Sequence, residues 1–301
     1  MQLACAGALA SFTSSPLPLE RPFDTVVLSV NVACSPQAAL GLAGLVSVRA
    51  RGEWSPWFRL LRWGTPEIRA GELHADWGQV DVDQLRLPLP AHEVRCRVTW
   101  QSPDALCNLK RVALCLSRTQ EAWQPAARAQ RPVRLEVPFF SQWDVTGHSP
   151  GRVCSPTCLA MVARFHGADV TPDDVATLAF DRDFDLYGNW SVNMLAMSIL
   201  GFRAVIDRAP GLAQLDAALD AGQPVVTSIA FGRNELRGSP LEQTHGHLVV
   251  VCGRTERGDY LTRDPAARGR DDWREYSRSE FERAWLGHGG VSYRIQKEGG
   301  L

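Results

Sequence analysis

A cysteine at the start of an apolar helical segment is the feature that most constrains the fold of this 301-residue chain. Cys154 directly precedes Ser155 and Pro156, and a hydroxyl side chain followed by a proline is typical of a helix start. Residues 158–165 then have the apolar periodicity of a buried helix, which Gly167 is expected to end. The unpaired N–H groups at a helix N-terminus favour a thiolate over a thiol. Cys154 is therefore a candidate nucleophile, and a structural cysteine at a helix start is the alternative.

Length and composition restrict the class of protein. A chain of this length usually forms two domains, and 45% hydrophobic with 22% charged residues is ordinary for a globular protein. A formal net charge of −1 gives no indication of a nucleic-acid partner. No apolar run is long enough for a transmembrane helix, so no membrane partner is expected.

The cysteine pattern bears on cofactors and on the cellular compartment. The eight cysteines contain no repeated C-x-x-C pair, so a zinc site is not expected, and no residue pattern calls for a metal or an organic cofactor. Several of them lie in apolar segments, where reduced, buried cysteines are common. We expect a mostly reduced, cytoplasmic protein, with secretion left open.

The first part of the chain predicts an all-β domain. Short apolar segments follow one another at near-regular spacing, with Gly and Pro between them, which is typical of a β-sandwich. We expect this sandwich over residues 21–118, after a disordered leader over 1–20 and before a polar linker over 119–133. The predicted strands are residues 25–30, 45–50, 54–60, 79–83, 93–100 and 111–116.

Tryptophans are concentrated in this predicted sandwich. Exposed aromatic rings there could stack on a glycan or a peptide ligand. The alternative is that the rings fill the core and the rim of the sandwich, which we favour because Trp54 and Trp57 lie in or beside strand-like segments. The tryptophans concerned are Trp54, Trp57, Trp63, Trp77 and Trp100.

The rest of the chain, residues 134–301, predicts an α+β domain, because its helices come first and its antiparallel strands follow. Thr171 before Pro172 predicts the start of a second helix. Further helices are predicted over 193–200, 212–221 and 279–286, and strands over 135–143, 202–206, 224–229, 247–253 and 259–265. The first of these strands would carry Gln142 near its end.

Three polar residues stand at the ends of the predicted strands. His247 opens an apolar strand and Asp264 ends the next one, so a hairpin would bring them to the same end of neighbouring strands. A histidine can accept the proton of the Cys154 thiol, and a carboxylate can fix the imidazole tautomer. The side-chain amide of Gln142 could donate to a developing oxyanion. These are the parts of a thiol protease or an acyltransferase.

Each residue has an alternative interpretation. Asp264 before Pro265 could be only a turn residue. His247 could be a structural histidine, and Gln142 could anchor the loop that follows it. The coincidence of all these residue types in one domain favours the enzyme.

Two residues compete for the same roles. His245 would share a strand face with His247, but His247 adjoins the buried part of the strand, where its ring would be fixed. Cys158 competes with Cys154, but it is one helical turn further on and is expected to face the core. We therefore favour His247 and Cys154.

Four motifs resemble the C39-like cysteine peptidase family over about residues 135–295: VPFFSQ (137–142), CSPTCLAMV (154–162), GHLVVV (246–251) and RDP (263–265). The resemblance implies a papain-like fold, with Cys154 as nucleophile, His247 as base, Asp264 as orienting carboxylate and Gln142 as oxyanion donor. The family usually has glycine after the cysteine, where this chain has Ser155. The gap from Gln142 to Cys154 is also longer than in transporter-linked members. The tryptophan-rich domain is similar to one that precedes the peptidase-like domain in some soluble members.

We therefore predict a β-sandwich followed by a papain-like domain that hydrolyses a peptide or another amide. Transporter-linked family members cut leader peptides, but this chain has neither a transmembrane segment nor a nucleotide-binding motif, so that role does not transfer. One alternative is an inactive peptidase fold that binds a peptide or glycan. The other is an acyltransferase or transglutaminase-like enzyme that uses the same residues.

Overall fold

The structure is a computed structural model, and it describes residues 4–5, 8–65, 67–103, 107–119, 122–124 and 131–298. The strands are β1 (Ala4–Cys5), β2 (Ala10–Thr13), β3 (Leu17–Ala33), β4 (Gly41–Ala50), β5 (Glu53–Trp54), β6 (Phe58–Gly64), β7 (His74–Ala75), β8 (Gly78–Asp81), β9 (Gln84–Gln101), β10 (Cys107–Ser117), β11 (Val133–Arg134), β12 (Phe202–Arg208), β13 (Val225–Phe231), β14 (Thr244–Arg254), β15 (Tyr260–Arg263), β16 (Arg274–Tyr276) and β17 (Val291–Lys297). The helices are α1 (Cys154–Phe165), α2 (Pro172–Ala179), α3 (Trp190–Ile199), α4 (Leu212–Asp220) and α5 (Arg278–Leu286). None of the helices in these residues is both long and apolar enough to cross a membrane.

The chain forms two compact units, and each unit is built from separate stretches of sequence. The first contains Met1–Gln120, Phe180–Ile206 and Glu298–Leu301, and the second contains Glu121–Ala179 and Asp207–Lys297. The sequence patterns predict two contiguous domains instead. They do so because local periodicity reports which residues are buried, and not which distant segment covers them.

Antiparallel strands make up most of the first unit. The main path of hydrogen-bonded neighbours is β1-β10-β3-β9-β4-β5, and β2 and β8 also pair with β9. In β9, the alternate residues Val94, Cys96, Val98 and Trp100 are buried, as expected for a strand with one face toward a core. The strands form one continuous network, and the arrangement as a two-layer sandwich stays a prediction.

Two predicted segments of this unit differ from the structure. Parts of the leader predicted to be disordered over 1–20 form strands: residues 4–5 are β1, residues 17–20 begin β3, and residues 10–13 are β2, which pairs with residues 97–100 of β9. Backbone hydrogen bonds hold this small, polar segment at a strand edge, and its weak hydrophobic pattern does not reveal them. Residues 54–60, predicted as one strand, divide into β5 and β6 around Pro56, which has no N–H to donate. Residues 1–3 and 6–7 of the predicted leader, and 120–121 and 125–130 of the predicted linker, lie outside the described residues.

Guanidinium groups cover two of the tryptophans. The guanidinium carbon of Arg95 lies 4.3 Å from the ring centroid of Trp54 and 4.8 Å from that of Trp57. The guanidinium carbon of Arg97 lies 4.3 Å from the centroid of Trp57. These cation–π contacts fit the interpretation that both rings are structural. A glycan or peptide ligand of this unit stays a prediction.

Helix α3 belongs to the first unit, and polar side chains from β3 and from the turn between β8 and β9 hold this segment. The carboxylate of Asp83 accepts hydrogen bonds from the N–H groups of Trp190 and Ser191 (3.0 Å for Ser191), which stabilises the helix N-terminus. The side-chain amide of Asn31 donates to the carbonyl of Ala204 (2.7 Å) and accepts from its N–H (3.1 Å). Because these contacts join residues far apart in sequence, local patterns do not reveal them.

The second unit is an antiparallel sheet with helices, which agrees with the α+β prediction. Its strands follow the order β17-β13-β14-β15-β16, and β11 pairs with β14. The hairpin of β14 and β15 pairs Val250 with Arg263, so His247 and Asp264 lie at the same end of it. Helix α1 packs against β14, which brings the helix N-terminus to the strand that carries His247.

Gln142 lies on a different element from the one predicted. None of residues 135–143 lies in a strand: the short strand β11 (Val133–Arg134) comes just before them, and Gln142 begins a 3₁₀ turn, Gln142–Asp144. Pro138 lies in the intervening segment and cannot donate to a strand ladder, which favours an extended segment without strand pairing.

Candidate active site

Cys154 is the first residue of α1, as the sequence pattern predicts. Its side chain is partly exposed, and the backbone N–H groups of Ser155 and Leu248 donate hydrogen bonds to its sulfur. Val153 is the N-cap residue and makes no side-chain cap. The orphan N–H groups of the first turn therefore have no competing side-chain acceptor at the cap, and they favour a negative charge on Cys154.

His247 forms a hydrogen bond with Cys154 and another with Asp264. Its Nε2 lies 2.7 Å from Oδ1 of Asp264, so Nδ1 is the ring nitrogen that is left for the sulfur. His247 and Asp264 are buried, with 3% and 0% of their surface exposed. Such burial excludes water from the pair and strengthens its electrostatic interaction.

Cys154, His247 and Asp264 stabilise one another's charged forms. Burial alone would raise the pKa of Cys154, but the hydrogen bond and charge of His247 hold that pKa below its ordinary value. Burial alone would lower the pKa of His247, but the charge and hydrogen bond of Asp264 and the contact with Cys154 raise it to about 10. Both shifts favour the ion pair of a Cys154 thiolate beside a His247 imidazolium.

Two donors fix the carboxylate of Asp264. The hydroxyl of Tyr276 donates to Oδ2 at 2.6 Å, and the N–H of Ala266 donates to Oδ1 at 2.9 Å. Burial opposes the charge of Asp264, but His247 and these two donors lower its pKa. Tyr276 was missed by sequence reasoning because it lies on β16, a three-residue strand too short to show a pattern.

The turn that holds Gln142 is tied to the segment after Asp264. The N–H of Gln142 donates to the carbonyl of Pro265 (2.8 Å), and the hydroxyl of Ser141 donates to the carbonyl of Ala267 (2.6 Å). Gln142 is 4% exposed, and its Oε1 has no hydrogen-bond partner among the described residues. The backbone therefore fixes the position of Gln142 beside the loop of Asp264.

The competing residues lie in different environments. Cys158 is fully buried, its Sγ donates to the carbonyl of Leu248 at 3.2 Å, and burial raises its pKa well above the ordinary value. His245 is exposed. Burial as a neutral thiol suits Cys158 to packing, and the geometry favours Cys154 and His247 for chemistry.

Ser155 does not face the reacting sulfur. Its hydroxyl is buried and lies 3.1 Å from the hydroxyl of Tyr293. The side chain that replaces the usual glycine is thus accommodated in the interior. In the part of the chain that the structure describes, no group of three or more His, Cys, Asp or Glu side chains could hold a metal ion.

A cysteine at a helix N-terminus beside a buried histidine–carboxylate pair is typical of cysteine hydrolases. The model of the Peptidase_C39 like family matches residues 134–293. The chain belongs to this family, as its motifs predict. At the level of the family, this supports a cysteine peptidase.

Three solved structures are similar to part of this chain. A putative C39-like peptidase from Bacillus anthracis is 22% identical, with a TM-score of 0.43, over 56% of this chain and 100% of that chain. The peptidase domain of Streptococcus ComA, a bifunctional ABC transporter of a quorum-sensing pathway, is 18% identical, with a TM-score of 0.40, over 54% of this chain and 100% of that chain. A double-glycine-motif protease from an AMS/PCAT transporter, solved with its leader peptide, is 20% identical, with a TM-score of 0.37, over 55% of this chain and 97% of that chain. No curated protein matches the chain significantly.

Proposed function

We propose that this protein is a cysteine peptidase or amidase that hydrolyses an amide bond. The observation that carries the proposal is the buried pair of His247 and Asp264, with Nε2 and Oδ1 2.7 Å apart, in hydrogen-bond contact with a cysteine at a helix N-terminus. A buried pair of this kind raises the basicity of the imidazole and lowers the pKa of the thiol. A buried structural cysteine usually stays a neutral, unreactive thiol, so these two effects favour a catalytic role for Cys154.

The mechanism follows from the charges of the pair. The thiolate of Cys154 attacks the amide carbonyl, and the imidazolium of His247 gives its proton to the leaving amine. This step leaves a thioester on Cys154 and a neutral imidazole. His247 then takes a proton from a water molecule that attacks the thioester, and the carboxylic acid is released. Asp264 holds the ring in place and stabilises its charged form.

Gln142 and the backbone N–H of Cys154 are the proposed oxyanion donors. The side-chain N–H₂ of Gln142 would donate to the carbonyl oxygen as it becomes negative. The 3₁₀ turn and the hydrogen bond from its N–H to the carbonyl of Pro265 fix the backbone of Gln142 before substrate arrives. Prior fixation of this kind lowers the reorganisation that the reaction requires.

We also propose that the second unit has the papain-like arrangement. Helix α1 carries the nucleophile and packs against β14, and the hairpin of β14 and β15 carries the histidine and the carboxylate. In such an arrangement the nucleophile lies at the end of a helix, and its base lies on the sheet against which that helix packs.

The proposal is tested with a mixture of unmodified peptides incubated in water enriched in ¹⁸O. Hydrolysis would place ¹⁸O in the newly formed carboxyl groups, which mass spectrometry detects, and the Cys154→Ala variant is the control. An added amine that replaces ¹⁸O at the same position would indicate an acyltransferase. Absence of any product, together with retained peptide binding, would refute the proposed hydrolysis.

Tyr276 is proposed as a positioning residue, because its hydroxyl holds Oδ2 of Asp264 at 2.6 Å. In Tyr276→Phe, the carboxylate loses one donor, and we expect kcat/KM to fall by about 10-fold, as for the loss of a hydrogen bond to a charged group. The pKa of Asp264 should rise, so on acidification the carboxylate that supports the imidazolium of His247 is protonated at a higher pH than in the wild type, and the pH–rate profile should change. An unchanged profile with lower thermal stability would show that Tyr276 is only structural.

Ser155→Gly restores the residue that is usual in the family. Because the hydroxyl of Ser155 is buried against Tyr293, we expect activity within about twofold of wild type and a free energy of unfolding lower by about 1–2 kcal/mol. Steady-state kinetics and urea unfolding measure the two effects. A large gain in activity would contradict the conclusion that the Ser155 side chain is buried in the interior and does not obstruct the reaction at Cys154.

A further inference from the structure

Three cysteines from distant parts of the sequence occupy one row across the sheet of the first unit. The pairing of β1 with β10 sets Cys5 opposite Cys107. The pairing of β10 with β3 sets Asn108 opposite Ala33. Extended by one residue, this register would bring Cys107 opposite Cys34, the residue that directly follows β3.

Burial and the neighbouring Cys34 thiol together raise the pKa of the Cys107 thiol, which places the two side chains near each other. Residues that lie opposite each other in antiparallel strands have Cα atoms about 4.5–5.5 Å apart. A disulfide requires a Cα separation of about 4.4–6.8 Å. The extended register would therefore place the pair within the Cα range of a disulfide.

The two thiols differ in access to solvent. Cys34 is half-buried, whereas Cys107 is fully buried and burial raises its pKa. A reagent from solution would therefore reach Cys34 first, and Cys107 would be protected from every partner except a neighbouring sulfur.

We propose that Cys34 and Cys107 form an oxidation site that a low-molecular-weight disulfide converts into a cross-strand disulfide. The thiolate of Cys34 attacks one sulfur of the reagent, and one reagent thiolate leaves and takes up the proton that Cys34 has lost. Cys107, as it loses its proton, then attacks the sulfur of Cys34 in the mixed disulfide and expels the second reagent thiol. In total, two protein thiols are oxidised to one disulfide, and one reagent disulfide is reduced to two thiols.

The bond would join the end of β3 to the start of β10 and enclose residues 35–106 of the first unit. A crosslink across a loop of this size restricts the unfolded chain and stabilises the folded unit. In a compartment kept reduced by thiols, the pair remains as two thiols. The oxidised form therefore belongs to an oxidising compartment. This inference is independent of the proposed peptidase activity.

The test uses the full chain with Cys154→Ala, which removes the most reactive thiol and leaves seven of the eight cysteines. One sample is incubated with oxidised glutathione and one with dithiothreitol. Both are denatured, alkylated and mapped by mass spectrometry. We expect five alkylated cysteines and a Cys34–Cys107 linked peptide after oxidation, and seven alkylated cysteines after reduction.

Variants make the assignment specific. Cys34→Ser and Cys107→Ser should each abolish the linked peptide. Cys115→Ser is the matched control, because Cys115 is also a half-buried cysteine and lies on β10; this variant should retain the linked peptide. Oxidation should raise the midpoint of thermal unfolding by about 5 °C or more in the parent and not in Cys34→Ser. Seven alkylated cysteines after oxidation, a mixed disulfide that persists on Cys34, or a bond from Cys107 to Cys5 would each overturn the proposal.

Discussion

Cys154→Ala is expected to lower kcat/KM for peptide hydrolysis by about 10³-fold or more, since the variant has no nucleophile to form the thioester. Cys158→Ala is expected to retain activity within a few-fold of wild type. The sulfur of Cys158 is buried and bonded to the carbonyl of Leu248, where no substrate reaches it. Steady-state kinetics on the substrate found with the peptide mixture measures both effects.

The two variants also differ in stability, which provides a control. Cys158→Ala removes a buried side chain and should lower the free energy of unfolding by about 1–2 kcal/mol. Cys154→Ala removes a partly exposed thiol, so only a small loss of stability is expected. Thermal unfolding of this variant should therefore show that the fold is retained. Loss of activity in Cys158→Ala with normal activity in Cys154→Ala would reverse the assignment of the nucleophile.

His247→Ala is expected to have the second large effect, both on hydrolysis and on the reactivity of Cys154. In the wild type, the imidazolium keeps the pKa of Cys154 low, so the thiol should react with iodoacetamide at pH 6. Without the imidazolium, burial is no longer opposed, so the pKa of Cys154 rises and the thiolate fraction at pH 6 falls. The alkylation rate of Cys154 should fall by the same factor, and kcat/KM by about 10³-fold.

The pH dependence of the wild type follows from the same pair. Activity should rise with pH as Cys154 loses its proton, and should fall as pH passes the pKa of His247, raised to about 10, because the imidazolium then no longer protonates the leaving amine. His245→Ala is the matched control, since it replaces an exposed histidine two positions away on the same strand. It should leave the alkylation rate and the pH profile unchanged. If His245→Ala instead lowered the alkylation rate and altered the pH profile, His245 and not His247 would be the base.

Local signals predicted the elements of the second unit well. The sequence indicated a helix that begins at Cys154 and ends before Gly167, and α1 spans Cys154–Phe165 with Gly167 at φ +85°. It indicated a helix after Thr171, and α2 begins at Pro172. Such signals are strong because a helix end must satisfy its own N–H and C=O groups, and the side chains that do so are close in sequence.

Other features depended on distant contacts and left no local signal. Gln142 lies on a turn held by the carbonyl of Pro265, and Asp264 is fixed by Tyr276 from a strand of three residues. Segment Phe180–Ile206 joins the first unit through the side chains of Asn31 and Asp83. Each of these contacts joins residues on different elements of the fold, so local sequence patterns do not reveal them.

The sequence by itself determined the family, the identity of the candidate nucleophile, base and carboxylate, and the helix that carries Cys154, because residue type and helix-end chemistry are local properties. Only the tertiary structure decided the electrostatics of the site. The pKa values of Cys154 and His247 depend on burial and on charges within hydrogen-bond distance, and both arise when chain segments about a hundred residues apart pack together. The sequence lists the groups that could react, and packing sets the charge that each one carries.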